Sequence, residues 1–255
     1  MRTRYVDIDD RHQDLAERMR SDPAAAEDFN RRWDLSWLYH ENALEGIVYS
    51  EIELQAALAN QPVADAAFLR ALVEIRNHKV ALDLIRAESS QKKLKLNLTT
   101  VKKLYETLGA GLEGRSEAEY RKEMPLHRAY FHEIAQPVRI APLLAKLCDQ
   151  AESAEFRSAH PIQRATRIQH GFMQIFPFTE NSGRVARLLS NLVLLGAGYL
   201  PVIIHATDRQ RYYDSFRLPE PTLRELTTEA ILNGLAHAEK LFAGVQPSRT
   251  RKAAR

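Results

Sequence analysis

The sequence has a single cysteine, Cys148. One thiol excludes an internal disulfide and a cysteine zinc cage, and nothing in the chain calls for an oxidising compartment. Glycine and proline are sparse, 10 and 11 among 255 residues, which excludes collagen-like and low-complexity readings. Long apolar runs are missing as well. The longest, Leu192 to Ile204, is too short to span a bilayer and is broken by Gly196, Gly198 and Pro201. The stretch Met1 to Asp10 is charged and lacks the apolar segment of a secretion signal. The expectation is a cytoplasmic protein without a membrane partner.

An excess of charge is also absent from the body of the chain. The formal net charge is +3, but Gln246 to Arg255 holds Arg249, Arg251, Lys252 and Arg255 and no acid. The remaining 32 basic residues face 33 acidic ones. Residues 246–255 therefore read as a basic flexible tail, and no basic stripe makes nucleic acid a leading partner. Apolar residues form 45% of the chain. A chain of this length buries about 70–75% of its unfolded surface, so a single domain over 1–245 is expected.

Helical periodicity dominates. Helices are predicted over Asp9–Met19, Ala24–Leu44, Ser50–Ala59, Ala64–Ala87, Thr100–Leu108, Ala141–Ala151, Pro161–Phe172 and Thr222–Phe242. Ser50 with Glu53 three residues on is a capping-box pattern, and Thr99 or Thr100 would cap the fifth of these helices. After Gly183, Val185, Leu188, Leu189, Leu192 and Leu195 form one apolar face, while Arg184, Arg187 and Asn191 fall on another. The stretch 124–138 mixes aromatics and histidines without a period and reads as a loop or short hairpin.

Three motif matches carry little. Gly109-Ala110-Gly111-Leu112-Glu113-Gly114 has three glycines at dinucleotide-binding spacing, but a helix precedes it where that chemistry needs a strand. His127, His132 and Glu133 lack the helical spacing of a zinc site. Ser182 lacks the strand-flanked glycine of a nucleophile elbow.

The informative window runs from His170 to Arg187. Pro177 ends one helix, a tight loop follows, and a second helix starts near Gly183. Loop amides at the positive end of that helix form an anion site. Arg184 and Arg187, one turn apart, add guanidinium forks suited to phosphate. Glu180 is a hard oxygen ligand for Mg²⁺ carried by a nucleotide. A salt-bridged helix start explains the same residues equally well.

Here the chain resembles the Fic (Fido) domain family, whose signature is His-Pro-Phe-x-(Asp/Glu)-Gly-Asn-Gly-Arg-x-x-Arg. The matching window is Phe176-Pro177-Phe178-Thr179-Glu180-Asn181-Ser182-Gly183-Arg184-Val185-Ala186-Arg187. Ala197 to Pro201, Asp208 to Tyr213, Asn77 to Leu82 and Tyr120-Arg121 are similar to further family segments, and Trp37 to Gly46 is similar to its inhibitory segment, (Ser/Thr)-x-x-x-Glu-(Gly/Asn). The resemblance implies an all-α bundle with a small β-hairpin flap, 124–138, at which a protein target docks as an added extended segment. It implies an inhibitory helix segment over 30–48 and a motif with its following helix over 170–196. It also implies ATP with Mg²⁺, transfer of AMP to a protein hydroxyl, and in many members self-association into a homodimer. Glu180 would hold Mg²⁺. Asn181, Ser182, Gly183, Arg184 and Arg187 would bind the phosphates of ATP or ADP, with Tyr212 and Tyr213 near the nucleotide. Glu45 would pair with Arg187 and block the terminal phosphate.

The chain departs from the family where the chemistry happens. The motif histidine, the general base, is Phe176, which cannot accept a proton. Asn181 and Ser182 replace the family's Gly and Asn, and Glu41 stands at the Ser/Thr position of the inhibitory segment. His127, His132 or Glu45 are the remaining bases at hand. Three readings follow: a nucleotide-binding sensor without catalysis, a transferase of altered chemistry, and an interaction module. General-base catalysis contributes about 10²–10⁴ in rate. Because the loop is altered as well, Phe176→His alone is expected not to restore AMP transfer. Strong self-modification of that variant with labelled ATP would refute this.

Overall fold

Local capping chemistry divides the chain into helices. The computed structural model describes residues 2–59, 66–91, 94–112, 117–125 and 132–244. Helices α1 (Arg2–Ser21) and α2 (Pro23–Leu44) are separated by Asp22, whose carboxylate accepts the Ala25 N–H at 3.0 Å. Pro23 follows at the first helical position, where its missing N–H costs nothing. Helix α3 (Glu51–Leu58) opens with the predicted capping box: Ser50 Oγ accepts from the Glu53 N–H, and the Glu53 carboxylate accepts from the Ser50 N–H. Helices α4 (Ala66–Ser89) and α5 (Leu98–Gly109) follow. The cap of α5 is Asn97 rather than Thr99 or Thr100, and its Oδ1 accepts the Thr100 N–H at 3.0 Å. Asn ranks above Thr as a cap, and it stands one turn earlier.

After the 3₁₀ turn Pro137–Arg139 come α6 (Ile140–Ala151), α7 (Ala154–Ser158), α8 (Pro161–Ile175) and α9 (Ser182–Leu195). The chain closes with α10 (Arg209–Asp214) and α11 (Glu220–Gly244). Periodicity does not reveal α7 and α10, which are too short to show a face. The basic tail, residues 246–255, lies outside the described residues.

Helix α9 is the axis of the bundle. It packs along α8 and is covered by α4 and α5 on other sides. Every residue from Ser182 to Leu194 is buried. The face predicted as polar, with Arg184, Arg187 and Asn191, is therefore interior as well. Most of its polar groups are met by partners on other segments. Asn191 Oδ1, for example, accepts the Val202 N–H at 2.7 Å.

The described residues contain no strand, so the predicted hairpin over 124–138 is not seen, and residues 126–131 lie outside the described ones. The return segment bonds to the end of α8 instead of to a second strand. The Ala135 N–H donates to the Gln174 carbonyl at 2.9 Å. No helix among the described residues is long and apolar enough to cross a membrane.

The loop between α8 and α9 is anchored by Phe178. Its side chain is fully buried and stacks on Tyr105 with ring centroids 4.0 Å apart. Phe178→Ala is expected to cost about 3–5 kcal/mol. That corresponds to a drop of roughly 10 °C in the thermal unfolding midpoint for a domain of this size. A shift of less than about 3 °C would show that this packing does not hold the loop.

Candidate anion site

The site is built on two strained turns, one at each end of the six-residue connection between α8 and α9. At its start Phe176 adopts φ 48°, ψ 64°, the left-handed region, as the C-cap of α8. A bulky residue there costs on the order of 1–3 kcal/mol and persists only if its surroundings enforce it. Arg121 supplies the enforcement. Its buried guanidinium donates from Nε to the Phe176 carbonyl at 2.8 Å, from Nη2 to the Ile175 and Ala135 carbonyls, and from Nη1 to the Glu123 carbonyl at 3.1 Å. The Arg121 N–H donates to the Pro177 carbonyl at 2.9 Å. The positive charge also sits at the negative end of the α8 dipole.

At the other end Asn181 adopts φ 61°, ψ 3°. Asn tolerates this region better than most residues, which is why it can stand where the family has Gly. Its side chain does not cap α9; Oδ1 accepts from Arg184 Nη1 at 2.9 Å. Ser182 turns its hydroxyl back into the loop, accepting the Phe178 N–H and donating to the Phe178 carbonyl, both at 2.9 Å. The helical ladder of α9 begins with the Val185 N–H on the Asn181 carbonyl. The amides of Ser182, Gly183 and Arg184 precede it at the positive helix end.

A carboxylate of the protein itself occupies this helix start. A Cβ added at Gly183 would lie 2.8 Å from Glu45 Oε1 and 3.2 Å from Arg187 Nη1. Glycine leaves room for the Glu45 carboxylate to approach the backbone there; a Cβ would displace it or Arg187. Glu45 Oε1 also accepts from Arg187 Nη2 at 2.6 Å. Burial raises the Glu45 carboxyl, but Arg187, Arg184 and Arg209 together outweigh it and hold it below the usual range.

The two motif arginines differ sharply. Arg187 is buried, with Nε donating to Glu41 Oε2 at 2.7 Å, Nη2 to Glu45, and Nη1 to the Tyr212 hydroxyl at 3.5 Å. Burial opposes its charge, yet Glu41, Tyr212 and Glu45 hold it firmly protonated. Arg184 is also buried but has only neutral partners, Asn181 Oδ1 and Asn42 Oδ1, the latter at 3.0 Å. Among the described residues its Nε has no hydrogen-bond partner, and neither have the two ring nitrogens of buried His78. Burial, with the charges of Arg184 and Arg187, keeps His78 neutral, well below its ordinary pKa.

The other predicted site residues scatter. Glu180 is exposed on the loop. Tyr212, fully buried, receives Gln169 Nε2 at 2.9 Å and lies beneath Arg187, with the guanidinium 5.7 Å from its ring centre. Tyr213 donates to the Leu44 carbonyl at 3.1 Å, beside Arg209 Nε on the same carbonyl at 2.7 Å. Tyr213 thus holds the end of α2, and Tyr212 supports Arg187, which α2 engages. His132 is buried behind Phe176, with Nε2 2.8 Å from the Met173 carbonyl, so that nitrogen carries a proton. His127 lies outside the described residues. Glu41, Asn42, His78, Arg121 and Arg209 were not singled out from the sequence as site residues. The i, i+4 spacing of Glu41 and Glu45, which puts both carboxylates on one helix face, was the available signal.

A helical bundle whose central helix starts at an anion cradle, with a second helix placing carboxylates into it, defines the class. Residues 95–194 match the family described as Fic/DOC. Protein adenylyltransferase Fic of Drosophila willistoni is 27% identical over 183 residues, 71% of this chain and 36% of that protein. The Drosophila grimshawi protein of the same name is 26% identical over 181 residues, 71% of this chain and 37% of that protein. The chain thus spans little more than a third of these relatives. A Fic domain containing signaling protein from Bacteroides thetaiotaomicron superposes with TM-score 0.78 at 21% identity, covering 92% of this chain and 98% of that one. Fic-1 from C. elegans gives 0.79 at 18%, covering 94% and 71%. At these identities the structures speak for the fold alone.

One residue before Glu41, His40 ties α2 to the segment preceding α10. Its Nδ1 accepts the Ala206 N–H at 3.1 Å, and its ring stacks on His205 at 4.4 Å. Burial first, then the neighbouring His205, lowers its pKa to about 4. A depressed histidine contributes stability above its unfolded pKa near 6.5, and that stability is lost as pH falls toward the folded value. Unfolding midpoints measured from pH 7 to pH 4 should fall less steeply for His40→Gln than for the wild type. Parallel curves would exclude His40 as the titrating group.

Proposed function

We propose that the chain binds the phosphates of a nucleotide, ATP or ADP with Mg²⁺, at the start of α9, and does not transfer AMP through a motif base. The observation that carries this is the contrast between the arginines. Arg184 is buried with hydrogen bonds only to amide oxygens and with its Nε unpartnered among the described residues, and a buried guanidinium gains from an acceptor that completes its hydrogen bonds. Arg184 stands beside the Ser182, Gly183 and Arg184 amides, and the Glu45 carboxylate close to Gly183 supports reading this helix start as an anion cradle.

The residues present fit Mg²⁺ that arrives with a nucleotide. No group of three or more His, Cys, Asp or Glu that could cage a metal occurs among the described residues. Exposed Glu180 offers one hard oxygen, and Mg²⁺ takes its other ligands from phosphates and water. Bound there, Mg²⁺ would neutralise phosphate charge. Phe176 presents a buried phenyl ring where the family places a base, and His132 commits a nitrogen to Met173. Proton transfer from an acceptor hydroxyl therefore has no group at that position. The reading is a nucleotide-binding sensor or regulatory member of the family. A protein partner could dock along 124–138, whose residue Ala135 is bonded to the Gln174 carbonyl at the end of α8. A neighbour of low identity, IbpAFic2, is known in complex with adenylylated Cdc42.

Calorimetric titration of the full chain with Mg–ADP and Mg–ATP is the test. Micromolar dissociation constants are expected for Mg–ADP. A hydrogen bond to a charged group contributes about 1.5–3 kcal/mol, so Arg184→Gln should weaken binding by roughly ten- to a hundredfold. No heat and no thermal stabilisation with either nucleotide, in the wild type and in E41Q/E45G, would remove the reading.

A further inference from the structure

We infer that Arg187 in this chain is a rivet between α2 and α9, held by Glu41, and that Arg184 alone reads phosphate in the resting protein. This rests on the nucleotide reading above but assigns the two arginines opposite roles. Three facts support it. First, Glu41 and Glu45 lie one turn apart on α2 and contact different nitrogens of Arg187, Nε and Nη2. Releasing Glu45 leaves the Nε bond intact. Second, the two contacts differ in exposure. The side chains of Arg187 and Glu41 are 2% and 4% exposed, whereas Glu45 is 24% exposed. The inner pair is shielded from water and salt, and breaking it strands a buried charge. The outer carboxylate can exchange with solvent anions. Third, the guanidinium is braced from behind by Tyr212, itself fixed by Gln169.

The charge count gives the consequence. Arg187 with two carboxylates carries net −1, and with Glu41 alone it is neutral. Only when both are gone does it present the positive charge that a further phosphate needs. Glu41 is accordingly a positioning residue that sets how many phosphates the site holds, and removing Glu45 is not enough to open it. Arg184 answers to neither carboxylate through a hydrogen bond, since its partners are Asn181 and Asn42.

The test is calorimetric titration of the full-length wild type, E45G, E41Q and E41Q/E45G with Mg–ATP, Mg–ADP and inorganic tripolyphosphate. E45G is expected to bind Mg–ATP within about threefold of the wild type. E41Q/E45G is expected to bind it at least tenfold more tightly than E45G, with a smaller gain for Mg–ADP. Tenfold tightening in E45G with nothing added by E41Q overturns the inference and leaves the nucleotide reading standing. A readout without ligand separates the two ideas. In ¹H–¹⁵N spectra of arginine side chains, a protected Arg187 Nε–H, assigned with R187K, should survive E45G and be lost in E41Q; loss in E45G overturns the inference even if no nucleotide binds. If E41Q does not fold, E41D keeps the charge but shortens its reach. It must then give intermediate tightening in the E45G background, and no change there counts against Glu41.

Discussion

The buried guanidinium of Arg187 is the group on which the arrangement of the site depends. A charge taken from water must be compensated within reach, and here the compensation comes from α2, almost 150 residues earlier in the chain. Meeting that demand fixes where α2 crosses α9 and sets Glu45 over Gly183. It also brings Tyr212 and Tyr213 inward: one supports the guanidinium, the other holds the end of α2 through the Leu44 carbonyl. Arg209 adds a positive charge at the negative end of α2, which steadies the same docking.

A second constraint acts on the other side of the loop. The Phe176 turn is unfavourable in itself, and Arg121 overcomes it by collecting carbonyls from the end of α8 and from the segments around it. That turn is therefore held through backbone carbonyls, and the start of α9 presents backbone amides and Gly183. Ser182 illustrates the same point. Its hydroxyl ties the loop to Phe178 and leaves only the amide side to a ligand.

Much of the fold was legible beforehand because its signals are local. Capping residues, the proline after α8, the glycine after α9 and the apolar period along each long helix act within a few residues of where they stand. The motif from Phe176 to Arg187 was legible for the same reason, as was the mismatch at its first residue. The hairpin expected over 124–138 includes residues 126–131, which lie outside the described ones.

The sequence by itself determined the helical class, the long helices and the place of the loop between α8 and α9. Only the tertiary structure decided that the polar face of α9 is interior, that Arg187 is neutralised while Arg184 is not, and that Glu41 rather than Glu45 is the deeper partner. The reason is physical. Helix formation and capping are short-range and written in neighbouring residues, whereas the state of a charge depends on its distance to every other charge and to water, and those distances exist only after the chain has packed.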